Sequence, residues 1–150
     1  MTKSAAHVLA ATLDAHGVDV AYCVPGESYL PLTDAFIDFP NMKLVVCRHE
    51  GGAGLMAVAH ARLRNHPGVC IISRGPGAMN ASIALHVAYH DAEPVVFLVG
   101  QAERDELNRM TLQEMNYSMT YSDTAKMVIE VIDQRRIAED IARAFHIAQS

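Results

Sequence analysis

The residues best suited to chemistry fall into two short runs. The first is Arg48-His49-Glu50-Gly51-Gly52, where a carboxylate stands beside an imidazole and a guanidinium and is followed by two residues without side chains. Glu50 has two readings there. It is either a helix N-terminal carboxylate that complements the macrodipole, or a partly buried acid that exchanges a proton. Burial disfavours its charged form, whereas a helix terminus and Arg48 favour it, so the two influences oppose one another. The second run is Ser73-Arg74-Gly75-Pro76-Gly77-Ala78-Met79-Asn80. A glycine-rich turn between a strand and a helix can cradle a phosphate with backbone N–H groups. The G-x-G-x-x-G spacing and the P-loop lysine are missing, however, and Pro76 removes one donor. A tight turn that lets a flat ring approach the backbone suits these residues better.

Other candidates read as structural. His86 and His90 have a metal-compatible i, i+4 spacing, but with no H-E-x-x-H and no evident third ligand they are expected to be ordinary helix histidines, and no metal site is expected. Cys23, Cys47 and Cys70 lack C-x-x-C spacing and read as free thiols of a reducing cytosol, which implies a cytoplasmic protein. Ser73 and Ser82 lack a G-x-S-x-G context, which argues against a serine hydrolase. Met110, Met115, Met119 and Met127 are expected as packing material, and Glu103 to Glu106 as a solvated loop face.

The elements that must position these residues follow from the apolar pattern. The chain has 150 residues, 51% hydrophobic and 19% charged, enough to bury the core of one domain spanning 1–150. A formal charge of −5, no Trp and only 6% aromatic residues exclude the basic, aromatic footprint of a nucleic-acid binder. The longest stretch free of Asp, Glu, Lys and Arg, Gly75 to His90, contains Asn80, Ser82, His86 and His90 and is a poor membrane span. His7 and Asp14 interrupt the N-terminal apolar run, which predicts a helix and not a signal peptide. Five strands are predicted, over Val20–Val24, Lys43–Cys47, Val69–Ser73, Pro94–Val99 and Ala125–Ile132. Helices are predicted over Ala5–Gly17, Leu30–Phe39, Glu50–Asn65, Ala78–Asp91 and Gln134–Gln149, with a short one over Leu112–Met119. Strands recurring roughly every 25 residues with helices between them imply βαβ units, hence an α/β fold with a doubly wound parallel sheet and helices on both faces. In such a sheet ligands sit beyond the carboxyl ends of the strands. This rule selects the loops from Pro25, Arg48, Arg74 and Gln101. The small residues Gly51, Gly52, Ala53 and Gly54 in one helix predict close approach of another backbone or a ligand.

Taken in order, Val24-Pro25-Gly26-Glu27, Arg48-His49-Glu50-Gly51-Gly52-Ala53, Gly75-Pro76-Gly77-Ala78-Met79-Asn80, Gly100-Gln101 and Gln113-Glu114 resemble the N-terminal pyrimidine-binding (Pyr) domain of thiamine diphosphate-dependent enzymes, nearest the acetolactate synthase and benzaldehyde lyase branch. The resemblance covers essentially the whole chain. It implies that Glu50 hydrogen-bonds N1′ of the cofactor's aminopyrimidine and holds the proton whose movement activates the thiazolium C2. Pro25, Gly26, Gly75, Pro76, Gly77 and Asn80 would wall the ring, and Gln113 would point to the substrate side. It further implies a carboligase or decarboxylase, a transferase or lyase, acting on a 2-keto acid or aldehyde. Diphosphate and Mg²⁺ would bind a later domain with a Gly-Asp-Gly signature that is not found in this sequence.

The chain is therefore expected to be a fragment of a longer enzyme, inactive by itself, with a last strand following Ser150. Homodimer or tetramer contacts would run through the Pyr domain, with the small-residue helix Gly51 to Ala61 as the candidate contact. Glu27 stands where synthases often have a small residue and decarboxylases of this family have an acid, so it reads as a second acid near the reacting carbon or as a loop cap. Arg74 and Met79 replace the more usual Ser and Thr and are expected to reshape the substrate mouth. The competing readings are a separate Pyr subunit of a two-chain 2-keto acid decarboxylase and a non-catalytic binding or assembly module.

Overall fold

Ser4 starts the first element by capping it. Its Oγ accepts a hydrogen bond from the His7 amide at 3.2 Å, satisfying one of the amides a helix leaves unpaired at its start. Helix α1 (Ala5–Ala15) turns Ala10 and Leu13 inward and stops before Gly17, whose φ is 78°. The computed structural model of the chain describes residues 4–150. After α1 come β1 (Val20–Cys23), α2 (Leu30–Ala35), β2 (Lys43–Val46), α3 (Glu50–Arg64), β3 (Gly68–Ile72), α4 (Pro76–Asp91), β4 (Val95–Val99), α5 (Tyr117–Thr120) and α6 (Ile137–Gln149). Single 3₁₀ turns at Glu27–Tyr29 and Phe36–Asp38 flank α2, so the expected helix to Phe39 is shorter and tighter.

The four strands form one parallel sheet in the order β2-β1-β3-β4, with Tyr22 opposite both Val45 and Cys70. All five residues of β3 are buried. Because side chains alternate across a strand, Val69 and Ile71 join one core with Leu13, Ile141 and Phe145, whereas Cys70 and Ile72 join the other with Ala53, Ala57 and Ala78. Helices α1 and α6 cover one face and α3 and α4 the other, which is the doubly wound α/β sheet expected. β2, at an edge, is mostly exposed.

The small residues of α3 serve close packing inside the chain. A methyl group added at Gly54 would lie 2.5 Å from Ala84 Cβ on α4. Of the small residues expected at a subunit contact, Gly51, Ala53, Gly54, Ala57 and Ala61 are buried within the chain, while Gly52 and Ala59 are not. What α3 presents outward is Leu55, Met56 and Leu63.

Three expectations are corrected. No strand forms over Ala125–Ile132. Among the described residues no segment pairs with the outer edge of β4, and a parallel strand exists only where a neighbour takes its backbone groups. Ala125 and Val128 still pack against the α4-side core, while Ile132 is exposed. The helix expected over Leu112–Met119 reduces to α5, because Gln113 is left-handed (φ 62°) and Asn116 caps only the turn after it, accepting from Met119 N at 3.0 Å. Met110, Met119 and Met127 are exposed, not packed.

Candidate functional site

The loops that leave the carboxyl ends of β1, β2, β3 and β4 converge, and Glu50 lies among them as the first residue of α3. His49 caps this helix from extended backbone, its Nδ1 accepting from Gly51 N at 3.1 Å. Glu50 is half-buried. Its Oε2 accepts a hydrogen bond from Asn80 Nδ2 on α4 at 3.0 Å. A methyl group at Gly77 would stand 3.3 Å from Oε1, so this glycine keeps the space beside the carboxyl clear. Oε1 itself accepts no hydrogen bond from the described residues. The α3–α4 packing brings the three residues together. Burial, with smaller contributions from neighbours that include Glu50, holds the Tyr29 phenol and the Cys70 thiol above their usual values.

Gly75 opens α4 with φ 54°, a conformation that favours glycine, and Pro76 follows at the position helices tolerate best. The Gly75 amide donates to Tyr117 Oη at 3.1 Å, and that hydroxyl donates to Gly100 O at 2.8 Å. Tyr117 thereby ties the turn after β3 to the end of β4. A side chain at Gly75 would strike Gln113, at 2.9 Å from its Cβ. The exposed Gln113 is thus laid against the turn.

The β1 loop closes the third side. Gly26 packs on Ser73, at 2.5 Å for an added methyl, and Ser28 Oγ lies 3.0 Å from Ser73 Oγ. Pro25 is exposed just before them. Glu27 Oε1 accepts from Arg74 Nη2 at 3.0 Å. Glu27 makes no hydrogen bond to the Glu50–Asn80 pair. Met79 faces solvent.

Glu50, Gly77 and Asn80 therefore form the centre, Gly75 with Gln113 one wall, and Gly26 with Ser73 another. Sequence reasoning missed His49 as a cap, Tyr117 as a tie and the pairing of Glu27 with Arg74. The cap has a local signal, an imidazole before a helix start, whereas the other two have none. His86 and His90 lie with ring centroids 4.4 Å apart and their planes tilted by 36°. Among the described residues no group of three or more His, Cys, Asp or Glu side chains is arranged to hold a metal ion, and none of the helices is long and apolar enough to cross a membrane.

The arrangement presents a carboxyl with one oxygen pinned by Asn80 and one available beside Gly77. It suits a planar base that offers a ring nitrogen to the free oxygen, and the residues present fit an aminopyrimidine.

The family model for the thiamine pyrophosphate enzyme N-terminal TPP binding domain matches residues 3–120. An acetolactate synthase of Mycobacterium avium is 37% identical over 139 residues, covering 93% of this chain and 22% of that protein. An acetolactate synthase of Bacillus subtilis is 34% identical over 134 residues, 89% of this chain and 23% of the relative. The chloroplastic acetolactate synthase 2 of Brassica napus is 33% identical over 151 residues, 99% of this chain and 23% of the relative. The chain thus spans less than a quarter of the length of these relatives.

Proposed function

Because the chain belongs to the thiamine pyrophosphate enzymes and matches their N-terminal TPP-binding domain, we propose that it supplies the aminopyrimidine side of a thiamine diphosphate site in a longer, acetolactate synthase-like enzyme that makes or breaks C–C bonds of 2-keto acids or aldehydes. The observation that supports this most is the half-buried Glu50 carboxyl, with Oε2 held by Asn80 at 3.0 Å and Oε1 facing the space that Gly77 leaves.

When bound, the cofactor supplies the carbanion equivalent; the protein orients it and moves one proton. Glu50 holds that proton at Oε1, against the ring nitrogen. Asn80 fixes the carboxyl so that no reorientation accompanies the transfer. Pro25, Gly26, Gly75 and Pro76 wall the ring, and Gln113 reaches from the wall toward the substrate. Glu27 is the second acid of the site, held at its mouth by Arg74. Mg²⁺ and the diphosphate belong, in this reading, to a domain beyond the present chain, and the chain is inactive without it. The partner surface is a homodimer contact on the outer faces of α3 and α4, where Leu55, Met56, Met79 and Ile83 are exposed. Three free cysteines support a cytoplasmic setting.

The test is Glu50→Gln in the complete enzyme, read as proton–deuterium exchange at C2 of the bound cofactor. Loss of a positioned acid–base group predicts exchange slowed by about 10²–10⁴. Near-normal exchange in that variant removes Glu50 from the role.

A further inference from the structure

Arg62, Arg135 and Arg136 each engage carboxylates through both nitrogens of one guanidinium edge, Nε and Nη2. This fork matches the two oxygens of an acid. Arg74 departs from the pattern. Its Nη2 reaches Glu27 Oε1 at 3.0 Å, whereas its Nε, on the same edge, is the one buried side-chain nitrogen or oxygen without a partner among the described residues. Yet its side chain is the most enclosed of the four, 13% exposed against 57%, 85% and 58%. A buried donor left unpaired is unfavourable. Its partner, by contrast, is 68% exposed. An exposed carboxylate adds little through a single contact and returns to water freely.

The location is as telling as the geometry. The chain passes outward from β1 to β2 and then returns across β1 to β3, so the strand order reverses between β1 and β3. Crevices at such reversals, outside the carboxyl ends of the strands, are where open parallel sheets take their ligands. Glu27 and Arg74 bridge this one, next to the Gly75–Gly77 turn that adjoins Glu50.

We propose that Arg74 is a specificity-determining anion site, where the carboxylate of a 2-keto acid substrate displaces Glu27 and takes both Nε and Nη2. Nε lies on the same guanidinium edge as the Nη2 that Glu27 now holds, so an acid that replaces Glu27 on that edge is in line with both nitrogens. The released Glu27 is then free to act as the second acid of the site. The inference rests on the cofactor reading above.

The test uses the complete, cofactor-loaded enzyme and two unreactive probes of one shape, oxamate as the anion and oxamide as its neutral counterpart, with binding followed by calorimetry. Arg74→Gln is expected to weaken oxamate at least tenfold and to leave oxamide within twofold. Arg74→Lys, which keeps the charge and loses the fork, should fall between, and Glu27→Gln should tighten oxamate because the internal competitor is gone. The proposal is overturned if Arg74→Gln binds oxamate as the parent does, if Glu27→Gln weakens it, or if the parent enzyme does not prefer oxamate to oxamide. Should Arg74→Gln fail to fold, the Lys and Glu27 variants decide. Normal C2 exchange in Glu50→Gln together with Arg74-dependent oxamate binding would remove Glu50 from its role and leave the anion site standing. The opposite pair of results would sink the anion site alone.

Discussion

Gly52 and Gly54 lie two residues apart in α3, and the same substitution at each should have opposite effects. A methyl at Gly54 would stand 2.5 Å from Ala84 Cβ and 3.1 Å from Phe97 Cζ. Ala84 is fully buried and has no rotamer to yield, so α3 and α4 must move apart by on the order of 1 Å to restore carbon contacts near 3.5–4 Å. Overpacking of this kind costs about 1–3 kcal/mol, and exchanging Gly for Ala within a helix returns about 0.5–1 kcal/mol. The net expectation for Gly54→Ala is a loss centred near 1 kcal/mol and reaching about 2.5 kcal/mol, at roughly 2–4 °C in Tm per kcal/mol for a chain of this size. At Gly52 an added methyl meets nothing within 4 Å, so Gly52→Ala keeps only the gain, up to about 1 kcal/mol. Urea unfolding followed by circular dichroism, with calorimetry for Tm, measures both. Shifts of the same sign, or a Gly54→Ala chain as stable as the parent, would refute the claim that α3 is glycine-rich in order to approach α4. The claim bears on the site as well, because that approach brings Glu50 to Asn80.

Two further outcomes follow from the loops and the core. Tyr117→Phe removes the acceptor of the Gly75 amide and the donor to Gly100 O, and should cost about 1–3 kcal/mol in thermal melting because Gly75 is buried; an unchanged melting point would mean the turn is held by other contacts. Burial raises the Cys23 and Cys70 thiols and the Tyr29 phenol, so the unfolded chain releases these protons at lower pH than the folded one. Their contribution is intact below the ordinary thiol value and lost above it, and the urea midpoint should fall from about pH 9 upward; a midpoint that rises over that range contradicts the assignment.

Much of the framework is legible in residue order. The continuous apolar runs at Val69–Ile72 and Val95–Val99, short and set between helical patterns, read as buried strands, and the spacing of Ile137, Ile141 and Phe145 carries a helix face. The stop at Gly17 and the start at Pro76 are equally local. Glu50 is legible for the same reason, since a carboxylate at a helix start followed by glycines is a local pattern. The segment 125–132 is different. Its apolar residues permit a strand, but strand formation depends on a neighbour, and a neighbour is not a property of the segment.

Residue types and spacing by themselves determined the α/β alternation and the loops in which the acid and the glycines lie, because each depends on interactions among residues near in the chain, and the parallel sheet followed because helical crossovers return consecutive strands in the same direction. Only the tertiary structure decided that Asn80 pins Glu50, that Tyr117 ties Gly75 to Gly100, and that Arg74 and Glu27, 47 residues apart, face each other with one donor unmet. Those contacts depend on where separate loops meet above the sheet, and that is set by the packing of whole helices and strands.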